Sequence, residues 1–159
     1  MSTFDIILHP TDFSEDSERA FQLACSVARD QFASMVVVHV LPPETFTDRG
    51  SDDIAIDEEL PIVCECREHF CRMKAQASEM PISFRLVRGY SVGAILNVAH
   101  EENADLIVIA SHQHSRFHHQ VHGSVAEGLL RQTHCPVLVL RHPTQSLSPP
   151  TLPLDAQKS

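Results

Sequence analysis

Four short runs in this 159-residue chain are apolar almost without interruption. They are Phe4 to His9, Ser34 to Leu41 with its core Met-Val-Val-Val-His-Val-Leu, Asp105 to Ala110, and Pro136 to Arg141. A strand with one wet face alternates apolar and polar residues, whereas a strand covered on both faces does not. Ile82 to Arg88, third in chain order, is more polar and reads as an edge strand.

Helical patterns fill the gaps between these runs. Ser14-Glu-Asp-Ser supplies a cap and an acidic first turn, after which Ala20, Leu23, Ala24, Val27 and Ala28 recur at helical spacing. Leu60 to Ser78 and Ser91 to Glu102 form two more helices, and Ser124-Val-Ala-Glu127 is a capping box that opens the last. Strand and helix in alternation give an α/β fold: a doubly wound, five-stranded parallel sheet with helices on both faces, joined by right-handed crossovers. In such sheets a ligand sits beyond the carboxyl ends of the strands, at the switch point of the topology. The loops of interest are therefore Pro10 to Ser14, after the first strand, and Ala110 to Ser124, after the fourth.

Composition narrows the partners. A net charge of −9 with no basic stripe argues against nucleic acid. No apolar run approaches the roughly 20 residues needed to span a bilayer, and Met1-Ser-Thr-Phe-Asp has no basic n-region of a signal peptide. Five cysteines, an odd number without framework spacing, indicate reduced thiols and a cytoplasmic location. Residues 1–142 read as one domain, with 42–60 as a mobile acidic connection and 143–159 as a disordered Pro-rich tail.

Several segments together resemble the universal stress protein family. They are His9-Pro-Thr-Asp-Phe-Ser-Glu-Asp-Ser17, Val38-His-Val40, Val87-Arg-Gly89, Leu106-Ile-Val-Ile-Ala110, Gly123-Ser-Val-Ala-Glu127 and His134-Cys-Pro-Val-Leu-Val139. The resemblance implies strand order 3-2-1-4-5 and a homodimer through the Pro136–Arg141 edge strand. It also implies a nucleotide site in which Asp12 and the backbone of Val40 contact the ribose and adenine end, while Gly123, Ser124 and Val125 hold phosphates. ATP-binding members carry Gly-x2-Gly-x9-Gly-Ser/Thr. This chain keeps the spacing but has Ala110 and Gln113 at the two leading positions.

Ala110 adds a methyl, whereas Gln113 places a whole side chain where backbone must approach phosphate. Backbone strain and lost contacts together amount to about 1 to 3 kcal/mol, roughly a 5- to 150-fold loss of affinity. The expectation is a non-enzymatic stress-response or signalling protein with weak or absent nucleotide binding and a protein partner. The alternative is an ATP-binding sensor, with slow hydrolysis if ATP is held.

Two further constellations carry structural and chemical readings side by side. His112, His114, His118, His119 and His122 crowd one loop, which is either a solvated polar loop, a transition-metal site or a pH sensor. Cys64, Cys66, His69 and Cys71 lack zinc-ribbon spacing and read chiefly as small core or interface residues, with a metal or redox role the lesser alternative. Cys25 and Cys135 lie in apolar patterns and are expected to be buried. Glu15 and Asp16 make the first helix a poor phosphate site, leaving the helix that starts at Ser124 as the better one.

Overall fold

The computed structural model describes residues 3–43, 56, 58–111 and 125–141. Five strands run β1 (Ile6–Pro10), β2 (Ser34–Leu41), β3 (Ile82–Arg88), β4 (Leu106–Ser111) and β5 (Val137–Arg141). Between them lie the helices α1 (Glu15–Gln31), α2 (Pro61–Gln76), α3 (Ser91–Glu101) and α4 (Val125–Gln132). The sheet is wholly parallel, in the order β3-β2-β1-β4-β5. The expected fold and strand order are thus observed, with β3 and β5 as edges.

The period of two along each strand divides the interior into two layers. Ile7, Met35, Val37, Leu106 and Val108 face one side, where Phe21, Ala24, Cys25 and Ala28 of α1 and Phe70 and Met73 of α2 cover them. Leu8, Val36, Val38, Ile107 and Ile109 face the other, beneath Ile95, Val98 and Ala99 of α3 and Ala126 and Leu129 of α4. Burial on both faces is what made the runs continuously apolar.

The start of α1 follows its sequence signal, whereas α2 and α3 begin after Leu60 and Tyr90 without a side-chain cap. Ser14 caps α1, its hydroxyl accepting from the Ser17 amide at 3.2 Å. At the other end Phe32 is the C-cap, in a left-handed conformation at φ 55° with its ring 96% exposed. Gly128 of α4 lies so near α3 that a Cβ there would meet Val92 Cγ2 at 2.7 Å. Arg85 on β3 ties α3 to its edge of the sheet through ion pairs with Glu101, at 2.7 Å, and Glu102.

The β1–β4 ladder is short, pairing Ile7 with Leu106 and Leu8 with Ile107. Side chains extend it at both ends. At the amino end the Asp105 carboxylate accepts from the amides of Asp5 and Ile6, both at 2.9 Å. At the carboxyl end the buried His9 ring hydrogen-bonds the Val108 carbonyl at 2.9 Å.

Candidate functional site

The carboxyl ends of β1, β2 and β4 converge at the switch point, where β1 has neighbours of opposite connectivity on its two sides. Of the sequence-derived site residues, Asp12, Val40, Ala110 and Val125 are described at this end of the sheet. Gln113, Gly123 and Ser124 lie outside the described residues, as do all five clustered histidines, His112, His114, His118, His119 and His122.

Asp12 is exposed, but its orientation is fixed by the turn that carries it. Its Oδ1 accepts from the Ser14 amide at 3.0 Å and from the buried Ser17 hydroxyl at 2.6 Å. Capping of α1 belongs to Ser14, so Asp12 shapes the turn rather than ending the helix. Phe13, next in the chain, holds φ at 61° and donates its amide to Thr11 Oγ1 at 3.0 Å. A left-handed phenylalanine is strained, and the Phe13 ring is braced from several sides. It stacks on His69 with centroids 4.3 Å apart, lies 4.4 Å from the His39 ring, and meets Phe70 edge-on at 5.5 Å.

Val40, near the end of β2, and Val125, at the start of α4, both pack against the layer beneath α3 and α4. Ala110 is buried within β4 and pairs with Leu140, and the pairing continues to Ser111 with Arg141. The strand therefore runs through the first altered position without opening into a loop.

Two histidines at this end escaped sequence reasoning. His9 is fully buried against Phe21, with ring centroids 5.7 Å apart. Among the described residues its Nε2 has no hydrogen-bond partner, and burial holds its pKa down at about 4. The Val108 hydrogen bond and the Glu18 and Asp12 carboxylates oppose that shift without cancelling it. His39 hydrogen-bonds the Thr11 carbonyl at 2.7 Å. Burial lowers its pKa too, against the pull of the Thr11 bond and Asp12, while His69 adds to the lowering. Both rings are therefore neutral at pH 7, and each carries its proton on Nδ1, because a carbonyl can only accept. The available signal was Pro10, a residue without an amide proton inside a buried strand.

On α2, Cys64 and Cys71 are exposed and Cys66 is buried with Leu41 and Val63, as helical spacing requires. Burial raises the Cys66 and Cys25 thiols above their ordinary range, which keeps them protonated. Cys25 is buried as expected, whereas Cys135 is only half-buried because it lies in the turn before an edge strand. Among the described residues no three His, Cys, Asp or Glu side chains are grouped to hold a metal ion. No described helix is long and apolar enough to cross a membrane.

This arrangement defines a doubly wound α/β protein whose topology reverses between β1 and β4. Residues 3–141 match the Universal stress protein family, and the chain belongs to it. It is 30% identical over 142 residues to a universal stress protein of Methanocaldococcus jannaschii, covering 86% of this chain and 82% of that protein. A putative universal stress protein of Staphylococcus aureus is 29% identical over 143 residues, covering 89% and 86%. Among solved structures, a universal stress protein in complex with cAMP superimposes with a TM-score of 0.66 at 28% identity, covering 87% of this chain and 98% of that one. A family protein from Burkholderia pseudomallei gives 0.65 at 26% identity, covering 88% and 98%.

Proposed function

We propose that this chain is a non-enzymatic stress-response or signalling protein of the cytoplasm whose crevice holds nucleotide weakly and whose output is contact with another protein. The observation that carries this reading is Ala110. Its methyl is buried and its strand remains paired through Ser111, where an ATP-binding loop would begin with glycine. Gln113, the second altered position, adds to the same loss. Five free cysteines fit a reducing compartment.

A homodimer through Pro136–Arg141 is part of the proposal. β5 is an edge of the sheet, and Leu138 on it is 39% exposed. An exposed apolar edge strand is a template for a second chain, and two-fold closure satisfies both copies at once.

A nucleotide-dependent sensor is the second reading. It is favoured by the fixed orientation of Asp12 beside the switch point and by the cAMP complex of a relative that is 28% identical. Titration of the protein with ATP and magnesium by calorimetry separates the two. Submillimolar affinity abolished by Gly123→Trp supports the sensor, whereas no heat up to several millimolar supports the first reading.

A further inference from the structure

The rings of His9, fully buried, and His39, half-buried, hydrogen-bond on opposite sides of the β1 segment. In a parallel strand the amide and carbonyl of a residue point to the same neighbour, and successive residues alternate between neighbours. Ile107 donates its amide to the Pro136 carbonyl, toward β5. The Val108 carbonyl therefore faces β1, where the register of Leu8 with Ile107 assigns its partner to the amide of residue 10. Residue 10 is proline and has none. A buried carbonyl left open at that place would cost about 1 to 3 kcal/mol, and His9 Nδ1 fills it.

The other side of β1 shows a matching arrangement. The β1–β2 register ends at Pro10 with Val38, and Thr11 still donates to the Val38 carbonyl at 2.9 Å. The Thr11 carbonyl then takes His39 Nδ1 at 2.7 Å. Thr11 directly precedes Asp12, and Val108 lies two residues before Ala110. Each imidazole thus fastens a backbone that leads into the crevice.

We propose that His9 and His39 are positioning residues that continue the sheet's hydrogen bonding past the ends of its ladders and so set the separation and orientation of the crevice walls carrying Asp12 and Ala110. Both must be neutral with the proton on Nδ1. His9 faces Phe21 and the Glu18 carboxylate on α1, Val108 on β4 and Asp12 in the following loop. His39 faces Thr11, Asp12 and Phe13 in that loop and His69 on α2. A second proton on His9 would fall on Nε2, which is buried without an acceptor among the described residues. The proposal rests on the crevice being the ligand site, but its geometry can be tested without ligand.

Long-range 1H–15N spectra of the labelled full chain at pH 7 report which ring nitrogen is protonated. The expected result is Nδ1–H on both histidines; the tautomer protonated at Nε2 on either ring overturns the assignment for that residue. His39→Leu removes the donor, and His39→Asn returns an amide N–H to nearly the position of Nδ1. The expected result is displaced amide resonances at Thr11 and Asp12 in the leucine variant that move back toward native positions in the asparagine variant, which lacks the ring beside Phe13 just as leucine does. His9→Leu and His9→Asn are compared in the same way at Ile109 to Ser111. His39 is only half-buried, so its variants serve if His9→Leu does not fold. Where the native protein binds ATP with magnesium, His39→Leu is expected to weaken binding about tenfold, with recovery in His39→Asn. Unmoved resonances and unchanged affinity in the leucine variants overturn the proposal. Absence of ATP binding by the native chain removes only the nucleotide sensor, because the tautomers and resonances still decide the positioning role.

Discussion

At the scale of single residues, His9 combines a structural service with a liability. Its ring supplies a donor that Pro10 withholds, yet it leaves a lone pair facing an apolar interior. The folded-state pKa of about 4 lies below the ordinary value of 6.5. The unfolded chain therefore binds the proton more readily, and stability rises with pH across that window. The contribution is fully present above about pH 6.5 and is lost as pH falls through 4, amounting to about 3 kcal/mol. Urea denaturation of the native chain and His9→Asn from pH 7 to 4 checks this, with carboxylate titration common to both. The native chain should lose more stability than the variant, and parallel curves would show that His9 is not held neutral by the fold.

Individual elements are held by contacts that sequence periodicity does not reveal. Gly128 resembles a helix-weakening residue in the middle of α4, and on propensity alone alanine would stabilise it by about 1 kcal/mol. Its closeness to Val92 reverses the expectation. Overpacking of this kind costs roughly 1 to 3 kcal/mol, so Gly128→Ala should destabilise by about 1 kcal/mol net. In a Val92→Ala background the same substitution should become neutral or stabilising. A double-mutant cycle by chemical denaturation reads the coupling, and strict additivity would mean that the two helices do not meet there. The effect reaches the crevice because α4 begins at Val125, so shifting its packing moves the first turn as well.

At the scale of the molecule, the exposed β5 edge makes assembly measurable. Sedimentation should find a dimer in the native chain, and Leu138→Lys should shift it to monomer with little loss of fold, because Leu138 is not part of the buried core. An unshifted dimer would place the contact elsewhere. The sheet was legible because double-sided burial left few polar residues in Ile7 to Leu8, Met35 to Val38 and Leu106 to Ile109, whereas its strand order and the β5 edge followed from the family resemblance. Boundaries moved slightly: β1 runs to Pro10 and β4 to Ser111, because pairing with β2 and β5 continues beyond the apolar residues. His9 and His39 were not legible as functional groups, since a histidine inside an apolar run discloses neither its tautomer nor which carbonyl lacks a donor. Phe13 was equally silent, as its left-handed backbone is held by His69 and His39, which are distant in sequence.

Phe32 closes α1 in a conformation that suits glycine, with its ring in solvent. Relieving it would recover about 1 kcal/mol. α1 runs back along the sheet, so this residue lies at the amino ends of the strands, opposite the crevice. A single substitution at this pole of the fold can therefore offset a destabilising change at the carboxyl ends of the strands.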